Sequence, residues 1–108
     1  MNADYMFACG IVWRKTADPE AGLELVEGLE SRDPQVRLLA QTILVDGGEG
    51  SMGLLESALT AGVVNPNVAG PCMAEILRLR HAPRPRARQA LKQHCTDASL
   101  RWEAAHLD

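Results

Sequence analysis

The chain has 108 residues, enough for one small domain with a single core and marginal stability. Its hydrophobic content of 46% excludes a disordered composition, and its aromatics are only Tyr5, Phe7, Trp13 and Trp102, so the core must be aliphatic. The net charge of −3 conceals an asymmetry: residues 1–77 carry eleven acids and four bases, whereas residues 78–108 carry seven bases and three acids. Leu and Ala dominate and β-branched residues are sparse, which favours helices over strands.

In chain order, the first predicted element is a helix over residues 3–16. Its run from 5 to 13 contains no charge, yet is far shorter than the ~20 residues that cross a bilayer. Tyr5, Met6, Phe7, Cys9, Ile11, Val12 and Trp13 surround this helix, and one intramolecular neighbour cannot cover them all. Met6, Phe7, Val12 and Trp13 are therefore the candidate interface anchors, toward a second copy or a larger partner.

Three helix starts carry the same signpost: Asp18-Pro19, Asp33-Pro34 and Asn65-Pro66. Each places a side-chain acceptor at the N-cap and proline at the first helical position, where its missing N–H costs nothing. After Asp18, Gly22, Leu25, Val26 and Leu29 form an apolar stripe, with Glu20, Glu24 and Glu27 opposite. After Asp33, the stripe is Val36, Leu39, Ala40, Ile43 and Leu44, widened by Leu38 and Val45. This helix is expected to be the inner one, ending at Gly47-Gly48.

Ser51 is the expected cap of the next helix, with Met52, Leu55, Ala58, Leu59 and Gly62 as its buried stripe. A further helix runs to about Arg80 through Val68, Cys72, Ile76 and Leu79. Pro71 predicts either a kink or a late start at Gly70-Pro71. His81-Ala82-Pro83-Arg84-Pro85-Arg86 is a stiff basic linker. Beyond it, residues 87–95 and 98–107 have thin apolar faces and read as a loosely held or partner-ordered tail. The organisation is thus a helical domain over 1–80 and a basic linker with a weakly helical tail over 81–108.

Residues 23–44 and 53–77 are self-similar. Leu25-Val26-Glu27-Gly28-Leu29 parallels Leu55-Glu56-Ser57-Ala58-Leu59, and Asp33-Pro34-Gln35-Val36 parallels Asn65-Pro66-Asn67-Val68. A two-helix unit repeated at such a period is the pattern of an α-solenoid. Asp33, Pro34, Val36, Arg37 and Ala40, with Leu44 behind them, resemble the second-helix motif of HEAT repeats. They are especially similar to the short bacterial HEAT-like kind also found in phycobilisome lyases. The resemblance covers residues 19–80 as two units. It implies an all-α short solenoid in which the proline starts the helix and the valine and alanine pack between repeats. It also implies that Arg37 pairs with an acid such as Asp33. The second unit departs from the motif, with Asn65 for the aspartate and Ala69 for the arginine. The family shares no common enzymatic activity, so the resemblance implies protein–protein interaction.

Chemistry-bearing patterns are weak. His81, His94, Cys95, His106 and Asp108 match no standard zinc spacing, so no metal or other cofactor is expected. Gly47-Gly48-Glu49-Gly50-Ser51 lacks the lysine and preceding strand of a phosphate loop. Cys9 and Cys72 lie in apolar context, unlike activated thiols, and bilin attachment is no better supported. The acidic stripe Glu20, Glu24, Glu27 and Glu30 reads first as a solvated face and second as a docking surface for a basic partner. The cations Arg78, Arg80, Arg84, Arg86, Arg88 and Lys92 have no interleaved aromatics for stacking bases. Arg84, Arg86, Arg88 and Lys92 are the candidates for electrostatic contact, first with an acidic protein surface. A nucleic-acid-associated module is the alternative. Three widely spaced cysteines and no signal peptide make a reduced cytoplasm the simplest setting. The expected function is a non-catalytic scaffold, adaptor or accessory subunit that binds protein or self-associates.

Overall fold

The computed structural model describes residues 2–80 and the single position 93. The fold is all-α. Among the described residues it comprises α1 (Ala3–Thr16), α2 (Pro19–Gly28), α3 (Pro34–Gly47), α4 (Glu49–Ala61) and α5 (Pro66–Arg80), with no strand. None of these helices is long and apolar enough to cross a membrane. The expected linker and tail over 81–108 lie outside the described residues.

The proline-marked starts form as their chemistry dictates. The Asp18 carboxylate accepts from the Ala21 amide, Asp33 accepts from the Gln35 amide at 2.9 Å, and Asn65 accepts from the Asn67 amide at 2.9 Å. Each bond satisfies a donor the helix cannot pair internally. Replacing Asp33 with alanine is expected to cost about 1 kcal/mol in unfolding free energy, measured by urea titration of the helical circular dichroism signal.

The loops between helices are joined to one another. Arg37 Nη1 donates to the Ser31 carbonyl at 2.7 Å, and the Asn65 amide donates to Glu30 Oε1 at 2.6 Å across 35 residues of sequence. The expectation that Arg37 pairs with Asp33 is therefore corrected. The Asp33 side chain is engaged with its own helix start, and the guanidinium reaches back to the α2–α3 loop.

Helix ends correct two further expectations. Ser51 does not cap α4. Gly48, at φ +61°, turns the chain so sharply that α4 begins at Glu49 and Ser51 falls inside its first turn. There the Ser51 hydroxyl is buried without a hydrogen-bond partner among the described residues. Gly62 is not part of the buried stripe but the left-handed residue ending α4. The Gly62 amide donates to the Leu59 carbonyl and the Val63 amide to the Ala58 carbonyl, the Schellman pattern. The late start of α5 is also overturned, since Asn65 and Pro66 start it and Pro71 sits inside. Pro71 is exposed, and the carbonyl it deprives of a donor belongs to Asn67, a residue itself exposed to solvent.

Each helix packs on its neighbours one and two places along the chain: α1 on α2 and α3, α2 on α3 and α4, α3 on α4 and α5, and α4 on α5. The helix expected to be inner, α3, meets all four others. The core joins Met6, Leu25, Val26, Val36, Ala40, Leu44, Met52, Leu55, Leu59, Cys72, Met73 and Ile76. The two self-similar segments keep their burial register. Leu25 and Leu55 are both buried, as are Leu29 and Leu59, Ala40 and Cys72, and Leu44 and Ile76. Where α1 crosses the first pair, Gly28 gives it room, because a Cβ there would lie 2.5 Å from Met6 Sδ and 3.0 Å from Ala40 Cβ.

Candidate interaction surface

The helices α1, α3 and α5 lie side by side, with α3 packed against both of the others. On α3, Leu38, Gln41, Thr42 and Val45 fall at i, i+3, i+4 and i+7, and so share one helix face. That face and Glu75 and Leu79 of α5 line an open groove of about 570 Å³. Leu38 and Leu79 are 67% and 57% exposed, so both keep most of their apolar surface in water. Two leucines flanking one concave, largely aliphatic surface are more informative than scattered exposed apolar residues.

Ion pairs frame the groove. Arg14 of α1 pairs with Asp46 at 2.5 Å, and Arg78 pairs with Glu75 within α5. Both arginines are more than half exposed, so the pairs contribute little stability and serve mainly to leave the groove without net charge. Phe7, 60% exposed, lies seven residues before Arg14 and therefore on the same edge of α1, the edge bridged to α3. Ile11 is exposed one turn beyond Phe7.

The four anchors read from α1 do not form one surface. Phe7 is exposed on the α3 side. Val12 lies instead in a second groove, of about 290 Å³, between α1 and α2, lined also by Tyr5, Asp18, Glu20 and Glu24. Met6 is completely buried against Gly28 and Ala40, which removes it as a surface anchor. Trp13 is half-buried, with ring carbons 3.1 Å from the position a Gly22 Cβ would take, so the indole works chiefly as an internal wedge. Conversely, Leu38, expected to widen the apolar stripe of α3, faces solvent, as does Leu79 of α5. The signal was present for Leu38. At about 100° per residue it points roughly 160° away from Ala40, nearly opposite the core line Val36–Ala40–Leu44.

The motif residues Asp33, Pro34, Val36, Arg37 and Ala40 divide between surface and core. Val36 and Ala40 are fully buried, whereas Asp33, Pro34 and Arg37 build the exposed start of α3. Along the acidic stripe, Glu20 and Glu27 are exposed and Glu24 half-buried, while Glu30 accepts from the Asn65 amide. Arg84, Arg86, Arg88 and Lys92, and the histidine-containing tail residues, lie outside the described residues.

Among the described residues, two titrations differ from the ordinary. Burial, then the nearby Glu75 charge, pushes the Cys72 thiol up to about 12. A thiol held protonated is the reverse of an activated nucleophile. Tyr5 is also raised, first by its hydrogen bond with the Cys9 side chain, then by desolvation and negative charge nearby, Glu24 included. Among the described residues, no three His, Cys, Asp or Glu side chains converge as metal ligands. The glycine-rich stretch from 47 to 51 is the junction between α3 and α4. Comparison with family models, with curated proteins and with solved structures returned no match.

Proposed function

We propose that this protein is a non-catalytic interaction module of the cytoplasm: a short HEAT-like stack that serves as scaffold, adaptor or accessory subunit. The observation that carries this reading is the pair of exposed leucines, Leu38 and Leu79, across the α3–α5 groove. Filling that groove with a partner's apolar side chains would remove both from water, at about 1.5–3 kcal/mol for each leucine fully covered. Phe7 and Ile11 extend the same surface across α1. The solenoid part of the reading is supported by the matched caps of α3 and α5 and by the matched burial of the two segments. It is also supported by packing between helices one and two places apart. The cytoplasmic setting is supported by two buried free cysteines.

The test is affinity capture from the native cells after nuclease treatment, comparing the unaltered chain with Leu38→Glu/Leu79→Glu. A control, Val63→Glu, alters a residue that is equally exposed but lies in the α4–α5 loop. One stoichiometric protein is expected with the unaltered chain and the control, and at least tenfold less with the double variant. Because Leu38 and Leu79 are exposed, their replacement should change stability by no more than about 0.5 kcal/mol each. Equal capture by all three chains would overturn the assignment of this face. Loss of all captured material on nuclease treatment would turn the reading to nucleic acid and the cations at Arg84, Arg86, Arg88 and Lys92.

A further inference from the structure

The acidic stripe of α2 does not behave as one surface. Glu30 is taken up by the Asn65 amide and Glu27 faces water, whereas Glu20 and Glu24, one turn apart, line the groove shared with α1. There they meet Tyr5, Ala8 and Val12 of α1 and Asp18, the cap of α2. Tyr5, Ala8 and Val12 fall at i, i+3 and i+7, so they form one strip along α1. Tyr5 and Val12 are 44% and 43% exposed, which leaves this strip open to water. The Tyr5 hydroxyl is held by the Cys9 side chain one turn along α1, and the negative charge of Glu24 also bears on it.

The two grooves of the molecule differ in charge. In the α3–α5 groove, Asp46 pairs with Arg14 and Glu75 with Arg78. Among the described residues, no base lines the α1–α2 groove, and no cation comes within ion-pair distance of Asp18, Glu20 or Glu24. Lys15, one turn beyond Val12, also stays outside that distance. The surroundings carry the same sign as the groove, with Asp4 one turn before Ala8 and Glu27 one turn after Glu24. An apolar strip beside carboxylates suits the long cationic side chains. Their methylene stems cover apolar surface while the charged heads reach the acids. A bare cation would leave the strip in water, and a phosphate-bearing surface would be repelled. A groove of about 290 Å³ admits a few side chains of one segment rather than the edge of a domain.

We propose that the α1–α2 groove is a second docking site, whose occupant is a cationic amphipathic helix of a partner protein with arginine or lysine one turn apart around an apolar side chain. The apolar side chain lies on Ala8 and Val12, and the cations pair with Glu20 and Glu24, which share that one-turn spacing. Their charges steer and select the partner, while the apolar contact sets how long it stays. This site lies on a different edge of α1 from Phe7, so it does not compete with the α3–α5 groove.

The test is a nuclear magnetic resonance titration of the full chain with an alanine-rich helical peptide of about 15 residues, in which leucine sits between two arginines one turn apart. Saturable shifts are expected at the amides of Tyr5, Ala8, Val12, Glu20 and Glu24. They should weaken with added salt and vanish when glutamine replaces both peptide arginines. Glu20→Gln/Glu24→Gln should bind about tenfold more weakly. Glu30→Gln/Glu49→Gln removes the same charge from exposed positions that do not line the groove, and should stay within about twofold of the unaltered chain. Leu38→Glu/Leu79→Glu, which disables the other groove, should shift the same amides, so failure of one site is distinguishable from failure of the other. Absence of saturable shifts, or equal weakening by the two charge variants, would refute the proposal. Groove amides that move without peptide in Arg84→Gln/Arg86→Gln/Arg88→Gln would replace the partner with the chain's own basic segment. Groove amides that move with protein concentration alone would replace it with a second copy.

Discussion

Leu44→Ala is expected to lower the unfolding free energy by about 3–4 kcal/mol, a large share of the 5–15 kcal/mol that holds a small domain folded. Leu44 is completely buried on α3, the helix that meets all four others. A cavity there is walled by several elements, each pinned by further contacts, so the site cannot collapse around the missing atoms. The lost transfer free energy and the persisting void then add. The comparison that isolates this effect is Leu38→Ala, the same change on the same helix at a side chain 67% exposed, expected within about 0.5 kcal/mol of the unaltered chain. Urea unfolding followed by circular dichroism should give a much lower midpoint for Leu44→Ala alone, with an unchanged slope. Equal losses at the two positions would mean that α3 is not the central element of the fold.

The second large effect is an alkaline loss of stability through Cys72. Its thiol is pushed up to about 12 in the folded chain, from an ordinary value of 9.0. Below pH 9 the thiol is protonated in both states and contributes no pH dependence. Between 9 and 12 the unfolded chain releases the proton and the folded chain retains it, so unfolding is increasingly favoured as pH rises. Above 12 both states are ionised and the loss is complete. Three pH units correspond to about 4 kcal/mol. The cause is first the burial of Cys72 and second the like charge of Glu75. Tyr5 titrates in the same alkaline range, so the measured quantity is the difference between the unaltered chain and Cys72→Ala. At pH 8 the alanine variant is the less stable, having lost packing. By pH 11 that disadvantage should shrink or reverse. A constant gap between the two chains across this range would show that the thiol does not titrate with folding. The same burial predicts that Cys72 resists aromatic disulfide reagents at pH 8 until denaturant is added.

These expectations rest on features that differ in how readily sequence reveals them. The Asp/Asn-Pro signposts located the starts of α2, α3 and α5 because capping is local. The acceptor, the proline and the satisfied amide lie within three residues of one another. The all-α class followed from composition and periodicity, and the buried lines Leu25–Val26–Leu29 and Val36–Ala40–Leu44 followed from helical spacing. Where local rules competed, a single residue decided. Ser51 has the chemistry of a cap, but Gly48 adopts the positive φ that starts α4 three residues earlier.

What sequence could not determine is which side of an apolar helix meets a neighbour. Phe7, Val12, Met6 and Trp13 are all large and apolar, yet one faces the α3 edge, one the acidic groove, one the core and one a glycine-lined gap. Leu38 and Gly70 occupy the same register position, but one is open and the other covered. Capping and helical period act over one or two turns and are written in adjacent residues. Burial depends on which distant elements arrive at a face, and the groove between α3 and α5 exists only because two helices from different halves of the chain lie side by side.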